Sequence, residues 1–170
     1  MIKRKSWPFY AGCIFLFLLI TLFTGCLVLK QKEGTDKSTS PAAGENIAIE
    51  LERTACFGSC PVYSLKIKGD GTVIYSGVQF VKIKGIQETT ISMDAVNQLL
   101  LEFEKANYFS LNDSYTKFGK SDMPSANTSI TIGDQTKAVK HYHGDSTAPQ
   151  KLTELENKID ETVNSAQWIK

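Results

Sequence analysis

Two cysteines and two histidines carry most of the chemical options in this sequence. Cys56 and Cys60 stand in RTACFGSCPVYSLKI, Arg53 to Ile67, and His141 and His143 stand in HYHGD. Thiols this close can join as a disulfide, cycle as a redox pair, bind a metal or stay free and buried. A disulfide closing about five residues would brace the start of the next strand, contributing about 2 kcal/mol through the unfolded chain. The redox reading lacks support, because thioredoxin-like pairs are C-x-x-C at a helix N-terminus, which lowers the attacking thiol's pKa. Here the spacing is C-x-x-x-C and strand-like sequence follows. Arg53 beside the loop, the only arginine after Arg4, would be the group to lower a thiol pKa, or else a partner for an acid such as Glu50 or Glu52.

The histidines are the only two in the chain. Residues two apart on a strand share a face, so both rings could hold one ion, with zinc the fitting metal. With Cys56 and Cys60 they would make a Cys2His2 set, although C-x3-C and H-x-H are not finger spacings. Asp122 or Asp145 would serve as an oxygen ligand instead. Arg53, Phe57, Asp122 and Asp145 are the candidate binding residues, since they lie on or near the cysteine loop, the polar stretch 110–127 and the segment after the histidines. Nothing resembles a P-loop, G-x-S-x-G or H-E-x-x-H. Ser121 and Ser125 with His141 do not make a hydrolase without further linkage.

The elements that must position these residues follow from periodicity. Ile47, Ile49 and Leu51 alternate with polar residues, as do Tyr63, Leu65 and Ile67, so both segments read as half-buried strands. Gly69-Asp70-Gly71 is a hairpin turn leading into TVIYSG, Thr72 to Gly77. Val81 and Ile83 predict a fourth strand, broken near Gly85. Ser92 caps a helix whose Val96, Leu99, Leu100 and Phe103 form one face, with Asp94 in its first turn. After a long polar loop, TSITI (Thr128 to Ile132) and KAVKHYH (Lys137 to His143) form a second hairpin around Gly133-Asp134. Pro149 opens a last helix with Leu152, Leu155, Ile159 and Val163 inward and Trp168 behind it. The prediction is an α+β domain over residues 46–170, with about six mostly antiparallel strands in the order ββββαββα and two helices on one face.

The motif R-T-x-C-x-G-x-C-P-x-Y-x-L-x-I with its G-D-G-T-V turn resembles the bacterial domain-of-unknown-function family 6438. Ser121-Asp122-Met123-Pro124-Ser125, the H-Y-H-G-D segment followed by Ala148-Pro149, and the final Trp168-Ile169 also match. The resemblance covers nearly all of residues 46–170. It implies a small domain behind an export signal and supplies no mechanism.

Ahead of this domain, Phe9 to Leu29 is a run of 21 residues without charge. As a helix it would be about 31 Å long, close to a bilayer core of roughly 30 Å. Lys3, Arg4 and Lys5 precede it, and Trp7 and Tyr10 suit the interface. Residues 1–29 read as a transmembrane anchor. Alternatively they are a lipoprotein signal, because LFTGC resembles a lipobox and Cys26 would then be lipidated, or a plain cleaved signal. Residues 30–45, KQKEGTDKSTSPAAGE, are a flexible linker reaching roughly 20–24 Å. Three basic residues flank the run on each side, so the charge count ties, and the compact basic segment before it favours placing the domain outside the cytoplasm. There, thiols oxidise.

Net charge is +3 over residues 1–45 and −2 over residues 46–170. An acidic domain with no basic patch offers no grip on phosphates, so nucleic acid is excluded as an expected partner. The sequence therefore reads as a membrane-tethered, extracytoplasmic domain without catalysis or cofactor. It would bind an envelope protein or small ligand through the cysteine loop and the 110–127 stretch. The alternative is a metal- or thiol-dependent envelope enzyme using Cys56, Cys60, His141 and His143.

Overall fold

Alternation in the sequence becomes one sheet with a helical layer over one face. The computed structural model describes residues 46–117 and 119–170, which fall in one unit, Ser38–Lys170. The apolar run 9–29, Cys26 and the linker 30–45 lie outside the described residues. Among the described residues, no helix is long and apolar enough to cross a membrane.

The strands are β1 (Ile47–Arg53), β2 (Val62–Lys68), β3 (Thr72–Gln79), β4 (Gly85–Thr90), β5 (Ser114–Tyr115), β6 (Ser125–Ile132) and β7 (Gln135–Tyr142). They form a seven-stranded sheet in the order β4-β3-β2-β1-β6-β7-β5. All neighbours are antiparallel except β5, which runs parallel to β7. The helices are α1 (Met93–Lys105), α2 (Gln150–Val163) and the short α3 (Ala166–Ile169). This is the expected α+β architecture with one strand more than predicted. The extra strand is two residues inside the polar stretch, too short to show a period. Lys140 N–H donates to Asp113 O at 2.9 Å, and Tyr115 buries its ring there.

The inward stripes meet in one core. Ile47, Ile49 and Leu51 of β1, Tyr63, Leu65 and Ile67 of β2, and Val73 and Tyr75 of β3 face Val96, Leu99, Leu100 and Phe103 of α1. They also face Leu152, Leu155, Ile159 and Val163 of α2. Each such side chain contributes roughly 1.5–3 kcal/mol by leaving water. Ser92 Oγ accepts the Ala95 N–H at 3.1 Å, fixing where α1 starts. Trp168 stacks on Tyr75 with ring centres 4.7 Å apart.

The predicted fourth strand is displaced. Val81 and Ile83 are half-buried as the alternation implies, but residues 80–84 form a corner and β4 begins at Gly85. Left-handed backbone at Phe80 (φ 54°) and Gly85 (φ 86°) turns the chain at both ends of this corner. Ile83 is tied down there, its N–H donating to Trp168 O at 2.9 Å and its carbonyl accepting the Tyr75 hydroxyl at 3.0 Å.

Candidate functional site

At one end of the sheet the inward stripes turn polar. Period two carries Ile47, Ile49 and Leu51 on to Arg53, and Val139 on to His141. Pairing then sets Tyr63 opposite Arg53, Arg53 opposite Ala126, Ala126 opposite His141, and His141 beside Tyr115. One row of side chains thus crosses five strands beneath α2. The helix answers with Glu156, which follows Leu152 by four residues and so lies on the buried stripe, and with Asp160 one turn later. Ala126 is the small member of the row, between Arg53 and His141.

Glu156 is fully buried. One carboxylate oxygen lies 2.7 Å from His141 Nδ1 and the other 2.9 Å from His143 Nε2. The imidazole centres are 4.7 Å apart. Arg53 Nη1 stands 3.6 Å from Glu156, but its short bonds go to Asp160, at 2.9 Å from Nη2 and 3.2 Å from Nε. Asp160 also accepts from Tyr63 at 2.6 Å and from Ser165 at 2.8 Å. Burial opposes the Glu156 charge, yet hydrogen bonds from His141 and His143 and the nearby positive charge outweigh it. Its pKa is held below the ordinary carboxylate value. Burial likewise opposes the Arg53 charge, and Asp160, Tyr63 and Glu156 reverse the balance, raising its pKa. Burial and then Asp160 push the Tyr63 hydroxyl upward.

The cysteine loop lies just beyond this row. Cys56 and Cys60 form a disulfide with Cα atoms 5.6 Å apart. Their sulfurs are therefore not available to complete a four-ligand set with the histidines. The loop is stitched to the start of β6 and the segment before it: Thr54 N–H donates to Ser125 O at 3.0 Å, Ser125 N–H to Thr54 Oγ1 at 2.8 Å, and Phe57 N–H to Asp122 O at 3.3 Å. That segment in turn holds the turn after β7, through His143 N–H to Pro124 O at 3.0 Å and Lys120 N–H to Gly144 O at 3.1 Å. The two stretches expected to form a binding surface are thus neighbours.

The candidate residues divide into three roles. Phe57 projects from the loop tip with 89% of its surface exposed, and Asp122 is exposed beneath it in left-handed backbone, φ 66°. Arg53 points away from the loop into the core. Asp145 is buried, and its carboxylate accepts Lys117 N–H at 2.7 Å and the N–H and hydroxyl of Thr147 at 2.8 and 2.7 Å. It fastens the turn. Sequence reasoning missed Glu156 and Asp160. The available signal was Glu156 falling on the same stripe as Leu152, Leu155 and Ile159.

His141, His143 and Glu156 offer ligand atoms all within 4.8 Å of one another, the spacing of a three-ligand metal site. Two open depressions of about 490 and 480 Å³ lie elsewhere, along strand residues such as Asn127, Thr128 and Ala138 that line both. Ion pairs there join Glu50 to Lys66 at 2.8 Å and Asp113 to Lys137.

Residues 47–163 match the family model described as a domain of unknown function (DUF6438). No curated protein matches the chain. A match over this much of the chain, on the domain built above, makes the protein a member of that family.

Proposed function

We propose that this family member is a non-catalytic binding module outside the cytoplasm. It is tethered to a membrane by its N-terminal apolar run and recognises an envelope protein through the Cys56–Cys60 loop. The observation that carries this reading is Phe57, 89% exposed at the tip of a loop that a disulfide closes and Asp122 holds from below. A phenylalanine in water contributes nothing to the core, where its burial would be worth roughly 1.5–3 kcal/mol. Single exposed apolar residues are ordinary on protein surfaces; a rigid mount for one is less so. A fixed aromatic at a loop tip binds with little ordering cost, as anchor residues of interfaces do. Met123, next in the chain to Asp122, is also exposed and extends the apolar contact. A disulfide agrees with an oxidising compartment. The linker's reach of roughly 20–24 Å gives the loop a working range above a membrane.

The test is photo-crosslinking in cells expressing the full chain, with a benzophenone amino acid at position 57 and, separately, at the exposed Met93 near the opposite end of the strands. A discrete adduct from position 57, absent from position 93 and lost in a C56S/C60S background, is the expected outcome. Equal labelling at both positions, or none at 57, overturns the reading. Phe57→Ser should leave unfolding nearly unchanged, within about 0.5 kcal/mol, which shows that replacing this side chain does not itself unfold the domain.

A further inference from the structure

We propose that His141 Nδ1, His143 Nε2 and a Glu156 carboxylate oxygen form a binding site for one divalent transition-metal ion of the zinc class. The placement does not depend on the Phe57 reading. The three groups come from two elements that the fold fixes independently, the end of β7 and the buried stripe of α2. Their ligand atoms already lie within 4.8 Å. Ligand atoms bound to one zinc at about 2.0–2.2 Å stand roughly 3.3–3.6 Å apart, so the nitrogen–oxygen pairs at 2.7 and 2.9 Å must open slightly to admit the ion. Two imidazoles and a single carboxylate suit zinc, cobalt or nickel, and are too few oxygens for calcium or magnesium.

Charge supports a cation here. Arg53, Glu156 and Asp160 together carry a net charge of −1 in a largely buried cluster. The arginine does not consume Glu156, since its short bonds go to Asp160 and Glu156 stands farther off at 3.6 Å. Access is through His143, whose side chain is 21% exposed against 4% for His141 and 0% for Glu156. Ion entry exchanges two N–H···O bonds for two nitrogen–metal bonds and one oxygen–metal bond, each neutral ring carrying its proton on its other nitrogen. Three protein ligands leave a fourth position for water.

Full-length chain, untagged and in detergent micelles without reductant, is titrated with Zn²⁺ by calorimetry and with Co²⁺ by visible absorption. The expected result is about one ion per chain with Kd of roughly 1 μM or lower, and d–d bands of a low-symmetry nitrogen/oxygen site. His143→Gln, on the partly exposed ligand, should weaken binding by roughly 100-fold or more, and His141→Gln likewise, whereas C56S/C60S should bind as the parent does. Three results would each overturn the proposal. One is failure to bind Zn²⁺. A second is binding unchanged in both histidine variants. The third is thiolate-to-cobalt charge transfer, which would place the ion on the two cysteines of the apolar run 9–29, Cys13 and Cys26.

Discussion

Truncating Glu156 to alanine would leave Arg53 Nη1 and two imidazole nitrogens facing a void where a carboxylate had been. Removing one partner of a buried charge cluster costs about 3–5 kcal/mol, because the remaining groups stay desolvated and unpaired. Glu156→Ala should therefore lower the urea midpoint sharply, and a loss under about 1 kcal/mol would show the cluster to be unimportant to folding. Arg53, His141 and His143 could be singled out from sequence because they are rare residue types here and, for Arg53 and His141, continue inward stripes. Glu156 could not. One glutamate among several in KLTELENKIDET reads as part of the solvated face, unless its four-residue offset from Leu152 is given more weight than its charge. Asp145, a candidate ligand from its polar surroundings, accepts hydrogen bonds from Lys117 and Thr147 and so holds its own turn.

Elements were set by local rules wherever a period or a cap was long enough to register. Ser92, the α1 stripe and both hairpin turns are where alternation and turn chemistry put them. The corner at residues 80–84 and the two-residue β5 are not, since neither has a length over which period two can be told from chance. The β2–β3 turn offers a test of how firmly the register is held. Gly71 has φ 85°, and a Cβ there would press into the carbonyl oxygen of Ile91, while Gly133 in the β6–β7 turn has φ 58° with open space around it. Gly71→Ala combines left-handed strain with a backbone clash and should cost about 2–4 kcal/mol, against about 1 kcal/mol for Gly133→Ala. Thermal unfolding of the two variants checks the ranking, and equal losses would mean that the Ile91 contact relaxes freely.

Across the whole molecule, tyrosine hydroxyls buried at the sheet–helix interface tie stability to alkaline pH. Tyr108 donates to Thr128 O at 2.8 Å, and burial pushes its hydroxyl up to about 12 from an ordinary value of 10.0. Tyr63 and Tyr75 shift upward too, burial coming first in each. A raised folded-state pKa means that the unfolded chain loses its proton first. The stabilisation is complete below pH 10 and is lost as pH rises towards 12, about 2–3 kcal/mol from Tyr108 alone. Tyr108→Phe should lose about 1 kcal/mol at neutral pH with its hydrogen bond, yet show a shallower fall between pH 10 and 12; an unchanged alkaline slope would refute the assignment.

By itself the sequence determined the class of fold, the inward faces of strands and helices, and the closeness of Cys56 to Cys60, because periodicity, capping and short loops are local. The candidate site was decided only in three dimensions. Arg53 reaches His141 through a register that runs β1 to β6 to β7, and Glu156 reaches both histidines because α2 lies across that row. Pairings between distant segments depend on how the whole sheet buries its faces together, and no window along the chain contains that information.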